Sequence, residues 1–302
     1  MKYIELKTNI LKDFADEFIE FLDELQVEGY YEVLFDSSLP RPKDGSILRD
    51  DTNINIYLGE EDKEKELKVI IFLKLKTNNN YFLESRIVET REFEEAYKEF
   101  YKPFKVGNKF CIIPIWEKES EEAKNIMSSE SINLFMNPGL AFGTGHHETT
   151  KLMLSRMSLL IKQGMSILDM GTGSGILSIG AGLLGAKKII AIDIDPNAVR
   201  ATEFNWKEND CKDTEISILE GGFDSSEIFQ FSYDLVLANI TYAVISQNIN
   251  NITKIKTNRF LFSGIISEKK EESYNLFSSY LGGKLIYNDS MDGWEIIDWA
   301  RE

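Results

Sequence analysis

Residues 166–195 read SILDMGTGSGILSIGAGLLGAKKIIAIDID, and this stretch decides the fold. Ile167 and Leu168 form a short apolar strand that runs into Asp169. The turn Gly171, Gly173, Gly175 follows at once, and a helix begins near Ser174. Ile176, Leu177, Gly180, Leu183 and Leu184 fall on one face of that helix at helical spacing. A turn this tight needs residues without Cβ, for positive φ and for close approach of a ligand to backbone. The N-terminus of the helix presents unpaired N–H groups beside such a ligand. A second apolar strand, IIAID, ends in Asp193, and an acidic residue about 20 positions past the first glycine suits the hydroxyls of a ribose. The stretch is a nucleoside-binding βαβ unit.

The glycine spacing bears on which nucleoside. A dinucleotide fingerprint is G-x-G-x-x-G, but here the third glycine comes one place early at Gly175, and Ile176 takes its position. Asp169, two residues before the first glycine, would accept a hydrogen bond from a cationic ligand and repel a pyrophosphate. D-x-G-x-G-x-G resembles motif I of the class I S-adenosylmethionine-dependent methyltransferases. Upstream lies NPGLAFGTGHHETT, Asn137 to Thr150. Downstream, Asn239-Ile-Thr-Tyr242 closes the strand YDLVLA. Together the three segments resemble the ribosomal protein L-eleven methyltransferase family from about Phe100 to the end, and more weakly before it.

The resemblance implies S-adenosylmethionine as cofactor and a large-subunit ribosomal protein as substrate, methylated on lysine side chains and on its α-amino group. It places Phe142, Thr144 and Thr150 in the cofactor pocket with Asp169, Gly171, Gly173, Asp193 and Asn239. The plain alternative for Asn137–Thr150 is a surface loop with Thr149 or Thr150 capping a helix. Asp195, before Pro196, reads as the cap of the next helix. Glu220-Gly-Gly-Phe-Asp224 closes the third strand of the unit, where adenine contacts arise in this fold.

Asn239 and Tyr242 are the catalytic candidates. Asn239-Ile-Thr-Tyr242 resembles the N-[PI]-x-Y loop of methyltransferases that act on nitrogen. A nitrogen nucleophile must aim a free lone pair at the methyl carbon, and an Asn carbonyl holds the remaining amine hydrogens so that it does. Tyr242 would wall the alkyl part of the substrate. The alternative is an Asn that caps a helix starting at Thr241. His146 and His147 are the only histidines and stand adjacent, so they do not form the H-E-x-x-H of a zinc helix, and no metal is expected.

A net charge of −16 argues against a large nucleic-acid surface. It suits a basic protein partner, or solubility alone. No basic n-region with an apolar run opens the chain, and no apolar stretch approaches membrane-helix length. Cys111 and Cys211 lie far apart and read as reduced thiols, so a cytoplasmic protein is expected, and a monomer.

The first hundred residues read as strand KYIELKT, an amphipathic helix from Leu11 to Glu28, strands YYEVLF and NINIYLG around the loop SSLPRPKDGS, an ambiguous Glu60–Lys76, and strand YFLESRIVE. If Glu60–Lys76 is helical, the order is βαββαβ, a ferredoxin-like α+β domain. Residues 1–90 are therefore expected to be a substrate-recognition domain. Residues 91–115 would be a connecting helix and linker, and 116–302 a doubly wound, Rossmann-like α/β methyltransferase domain ending in a KLIYND/WEIIDWA hairpin. Two other functions share parts of this pattern. A nicotinamide-dependent oxidoreductase would share the βαβ unit, but not the glycine spacing, Asp169 or the Asn239 loop. A methyltransferase for another protein lysine or a small amine would share all of them.

Overall fold

The structure is a computed structural model that describes residues 2–33, 51–77, 81–89, 98, 101–137 and 143–301. It divides into two units, 1–100 and 101–302. The division falls after Phe100, inside the span expected to be a linker. The expected connecting helix over 92–101 and the loop over 37–46 lie almost wholly outside the described residues.

In the first unit, β1 (Lys2–Leu11), α1 (Lys12–Glu24), β2 (Gly29–Val33), β3 (Asp51–Gly59), α2 (Lys63–Thr77) and β4 (Leu83–Glu89) follow one another. The sheet order is β2-β3-β1-β4 with every pairing antiparallel, the ferredoxin-like arrangement. The ambiguous 60–76 segment is helical. Val69 and Leu73, one helical turn apart, are both fully buried. Glu64 and Glu66 in the first turn and Lys74 and Lys76 in the last oppose the helix dipole. Leu67, Ile71 and Leu75, four residues apart on another face of the helix, are exposed. Phe18, Leu22, Ile56 and Leu58 complete the core.

The second unit opens with β5 (Phe104–Val106), β6 (Phe110–Pro114), α3 (Glu121–Ile126) and β7 (Ile132–Met136). These strands form a small sheet in which β6 and β7 run parallel. In α3 Ala123 is buried, and Ser120 caps the helix by accepting the Ala123 N–H. Then come α4 (Glu148–Leu160), β8 (Ser166–Met170), α5 (Ile176–Leu183), β9 (Lys188–Asp193), α6 (Pro196–Lys207) and β10 (Glu215–Glu220). The two-residue strands β11 (Ser232–Tyr233) and β13 (Lys256–Thr257) pair with each other and flank β12 (Leu235–Asn239) and α7 (Tyr242–Ile252). Next are β14 (Arg259–Ile266), α8 (Lys270–Leu281), β15 (Lys284–Met291) and β16 (Trp294–Ala300).

The main sheet has the order β10-β9-β8-β12-β14-β16-β15. Its first five strands are parallel, and β16 runs antiparallel to both neighbours. Strand order therefore reverses between β8 and β12, where ligands gather at strand C-termini in open α/β sheets. One face packs Met153, Met157, Leu177 and Ile179 of α4 and α5. The other packs Ile245, Ile249 and Phe277 of α7 and α8. Asp298 of β16, fully buried, receives two hydrogen bonds each from Arg156 of α4 and Arg259 of β14. Among the described residues no helix is long and apolar enough to cross a membrane.

Candidate functional site

Asp169, Asp193 and Asn239 stand at the C-terminal ends of β8, β9 and β12. Asp169 and Leu237 are register partners, so Asn239 stands just beyond Asp169 on the adjacent strand. Asp169 is fully buried. Its Oδ2 accepts from the hydroxyls of Thr172 at 2.9 Å and Ser178 at 2.6 Å. Its Oδ1 is buried without a hydrogen-bond partner among the described residues. Burial pushes the Asp169 carboxyl up to about 6, and the Asp193 charge pushes the same way against the two hydroxyls. A cation beside Asp169 would satisfy the open oxygen and return the carboxyl to its charged form.

Asp193 uses Oδ2 to accept the Gly173 N–H at 2.9 Å and Oδ1 to accept the Asp195 N–H at 3.0 Å. Each carboxylate oxygen retains acceptor capacity for a diol. Asp195 caps α6 by accepting the Asn197 N–H at 2.8 Å, with Pro196 in the first helical turn, as the sequence predicts.

The Asn239–Tyr242 loop is fixed by its isoleucine. The Ile240 N–H extends the β12–β14 ladder by donating to the Ser263 carbonyl at 3.1 Å. Gly171 and Gly264, at φ +72° and +79°, stand against Ile240. A Cβ on Gly171 would lie 2.6 Å from Ile240 Cγ2, and one on Gly264 would lie 2.6 Å from the Ile240 carbonyl oxygen. Gly264 was not identified from the sequence, since nothing local in FSGII says which segment crosses it.

Thr241, not Asn239, caps α7 by accepting the Val244 N–H at 3.4 Å. The capping alternative for Asn239 is thereby removed. Its Nδ2 reaches Thr150 Oγ1 at 3.5 Å, and its Oδ1 is buried without a partner among the described residues. Tyr242 starts α7, with Lys269 Nζ 5.8 Å from its ring centroid.

Gly143 meets the glycine turn. The Gly143 carbonyl accepts the Ser174 hydroxyl at 2.6 Å, which seats the neighbouring Thr144. Phe142 lies outside the described residues. Thr150 is fully buried and faces Asn239. Neither Thr149 nor Thr150 caps α4. His147 does, its Nδ1 accepting the Thr149 N–H at 3.3 Å. His146 is half-buried, its ring 4.1 Å from that of Phe104, and desolvation drives its pKa down to about 4. It is neutral at pH 7. Ile194, between Asp193 and Asp195, is 78% exposed. It lies beside Gly222, where a Cβ would come 3.3 Å from its Cγ2.

The residues fit S-adenosylmethionine. Asp169 supplies an open anionic acceptor for a cationic ligand, Asp193 an acceptor for the ribose, and the glycine turn room for close backbone approach.

The chain is similar to known proteins along its whole length. The family model described as "Ribosomal protein L11 methyltransferase (PrmA)" matches residues 2–302. A ribosomal protein L11 methyltransferase from Leptospira interrogans is 50% identical over 302 residues, covering 100% of both chains. One from Staphylococcus aureus is 34% identical over 298 residues, covering 96% of this chain and 92% of its own. A crystal structure of a ribosomal protein L11 methylase from Lactobacillus delbrueckii subsp. bulgaricus superposes with a TM-score of 0.57 at 24% identity. It covers 67% of this chain and 100% of that one, a likeness of fold.

Proposed function

The chain belongs to the ribosomal protein L11 methyltransferase family, and from that premise we propose that it methylates amine nitrogens of ribosomal protein L11, on lysine side chains and the α-amino group. It is an enzyme of the class I methyltransferase fold, with S-adenosylmethionine as methyl donor. The observation that carries the reading is the pair of open buried oxygens, Asp169 Oδ1 and Asn239 Oδ1, at the ends of adjacent strands. The first suits a cationic cofactor and the second a hydrogen-bonding amine.

When bound, S-adenosylmethionine supplies a methyl group made electrophilic by its sulfonium. The chain's residues do the rest. Thr144, Thr150, Asp169, Gly171, Gly173 and Asp193 line the cofactor side, and the family resemblance adds Phe142. Asn239 accepts the amine hydrogens and leaves the lone pair directed at the methyl carbon, while Tyr242 walls the alkyl chain. A free lysine ammonium has a pKa near 10.4, so presenting it neutral at pH 7 costs about 4–5 kcal/mol. Desolvation in the cleft and a nearby sulfonium lower that cost. The Asn239–Tyr242 loop holds no carboxylate or imidazole, so its contribution is alignment, which supplies several kcal/mol.

The 1–100 unit, which holds no catalytic candidate, is read as the module that recognises the protein substrate. The net charge of −16 supports a basic partner and encounter by electrostatic attraction. The free, buried thiols of Cys111 and Cys211 support a reducing compartment, and we place the reaction in the cytoplasm. The test is labelled S-adenosylmethionine added with the enzyme to ribosome-free lysate. Label on ribosomal protein L11 supports the proposal, and label confined to another polypeptide or a small amine refutes it.

A further inference from the structure

Four consecutive carbonyl groups of the glycine turn have partners inside the protein. The Thr172 carbonyl accepts the Gly175 N–H at 2.9 Å, and the Gly175 carbonyl accepts the Ile179 N–H at 2.8 Å. These two bonds are local to the turn and α5. The other two come from α6. Thr202 Oγ1 donates to the Gly173 carbonyl at 3.0 Å, and Asn205 Nδ2 donates to the Ser174 carbonyl at 2.9 Å. Thr202 and Asn205 are both fully buried, so these hydroxyl and amide groups have no competing water. Asn205 also accepts the Asn137 N–H on its Oδ1 at 2.7 Å, which ties the end of β7 to the same turn. Just past α6, Asn209 accepts the Phe135 N–H at 2.9 Å and donates to the Phe135 carbonyl at 2.8 Å.

We propose that Thr202 and Asn205 are positioning residues for the cofactor site. They hold the glycine turn by the Gly173 and Ser174 carbonyls, and so fix the peptide planes against which the cofactor packs. Neither needs to touch the cofactor. A turn with three glycines at positive φ has many backbone states open to it, and a turn free to sample them would bind weakly. Bonds at two successive carbonyls remove those states. A sequence motif centred on the glycines does not register this, because the groups that hold them lie about 30 residues downstream. The inference rests on the glycine turn being the cofactor cradle.

The test uses the full-length protein and calorimetric titration with S-adenosylhomocysteine, well below the melting temperature. Thr202→Val keeps the shape and removes only the hydroxyl. It is expected to weaken binding about tenfold, the scale of one misplaced hydrogen-bonding group. Thr202→Ser keeps the donor and is expected to bind within about twofold of wild type. Asn205→Ser is expected to weaken binding at least as much as Thr202→Val. Thr214→Val is the control, since Thr214 Oγ1 donates to the Ala186 carbonyl at 2.6 Å ahead of β10, away from the turn. It should lower the melting temperature without changing affinity. In turnover assays Thr202→Val should raise KM for S-adenosylmethionine and leave kcat within about twofold. Wild-type affinity in Thr202→Val, or an equal loss in the Thr214→Val control, overturns the proposal. A wild-type protein that binds no S-adenosylhomocysteine overturns the cradle reading beneath it, a different result from variants that match a tightly binding wild type.

Discussion

The Asp193 carboxylate accepts the backbone N–H of Gly173 at 2.9 Å, so the acidic end of β9 and the glycine turn after β8 are one hydrogen-bonded unit. Asp193 therefore shapes the turn, and under the proposal it also offers an acceptor to the ribose. Replacing it with alanine removes both. Asp193→Ala should weaken S-adenosylmethionine binding by about 2 kcal/mol, the scale for lost hydrogen bonds to a charged group. Calorimetric titration checks this, and wild-type affinity would remove Asp193 from the site.

If Asp169 faces the cationic cofactor as proposed, cofactor binding should depend on pH. Its carboxyl is raised to about 6 from an ordinary 3.8, so the folded protein holds this proton more tightly than the unfolded chain. The stability of the ligand-free protein should then fall as pH rises from about 4 through 6. A cationic ligand needs the ionised form, so affinity should rise through pH 6 and level off above it. At pH 5 it should be about tenfold below the plateau. Asp169→Asn should flatten both dependences and bind weakly throughout. A denaturation series from about pH 4 to 8 and a titration series from about pH 5 to 8 measure the two effects, and an affinity that falls with rising pH would contradict the assignment.

Ile240 is wedged between Gly171 and Gly264, and the wedge is sensitive to one methyl group. Gly264 has φ +79°, and an added Cβ would meet the Ile240 backbone at 2.6 Å. Gly264→Ala should destabilise the protein by about 1–3 kcal/mol through backbone strain. It should also lower turnover, because Asn239 moves with Ile240. Thermal melts and steady-state rates test both, and a variant with normal melting and turnover would show that the loop tolerates displacement.

The most legible part of the site was local in sequence. Asp169, the glycine turn, Asp193 and the Asp195 cap lie within one βαβ unit, where spacing alone dictates which groups meet. The ferredoxin-like order was legible once 63–77 was helical, but periodicity did not decide that segment. Its exposed Leu67, Ile71 and Leu75 blur the amphipathic pattern, and Val69 and Leu73 carry the burial. What sequence reading missed was non-local. The bonds from Thr202 and Asn205 to the turn, and the packing of Gly264 on Ile240, join segments about 24–31 residues apart, a pairing that depends on sheet order. The His147 cap was missed because threonine is the commoner capping residue, and Thr149 instead supplies the N–H that His147 accepts.

The 101–302 unit contains every catalytic candidate and its own cores. A chain beginning at Glu92 should fold and bind S-adenosylmethionine with near wild-type affinity. It should lose methylation of intact ribosomal protein L11. Comparison of calorimetric affinity with methyl incorporation separates the two roles, and full-length rates from the shortened chain would show that residues before Glu92 do not recognise the substrate.

Asn239 carries the chemistry proposed here, and its contribution exists mainly when acceptor and cofactor are both bound. The most direct measurement follows methyl transfer to purified ribosomal protein L11 by mass spectrometry, for wild type and Asn239→Ala side by side, with cofactor affinity and melting temperature taken on the same preparations. Wild type should add methyl groups to lysine side chains. Asn239→Ala should do so about 100-fold more slowly, the scale of lost orientation, with a smaller loss of cofactor affinity and little change in melting. A wild-type enzyme that leaves ribosomal protein L11 unmodified, or an Asn239→Ala variant that modifies it at the wild-type rate, would contradict the account.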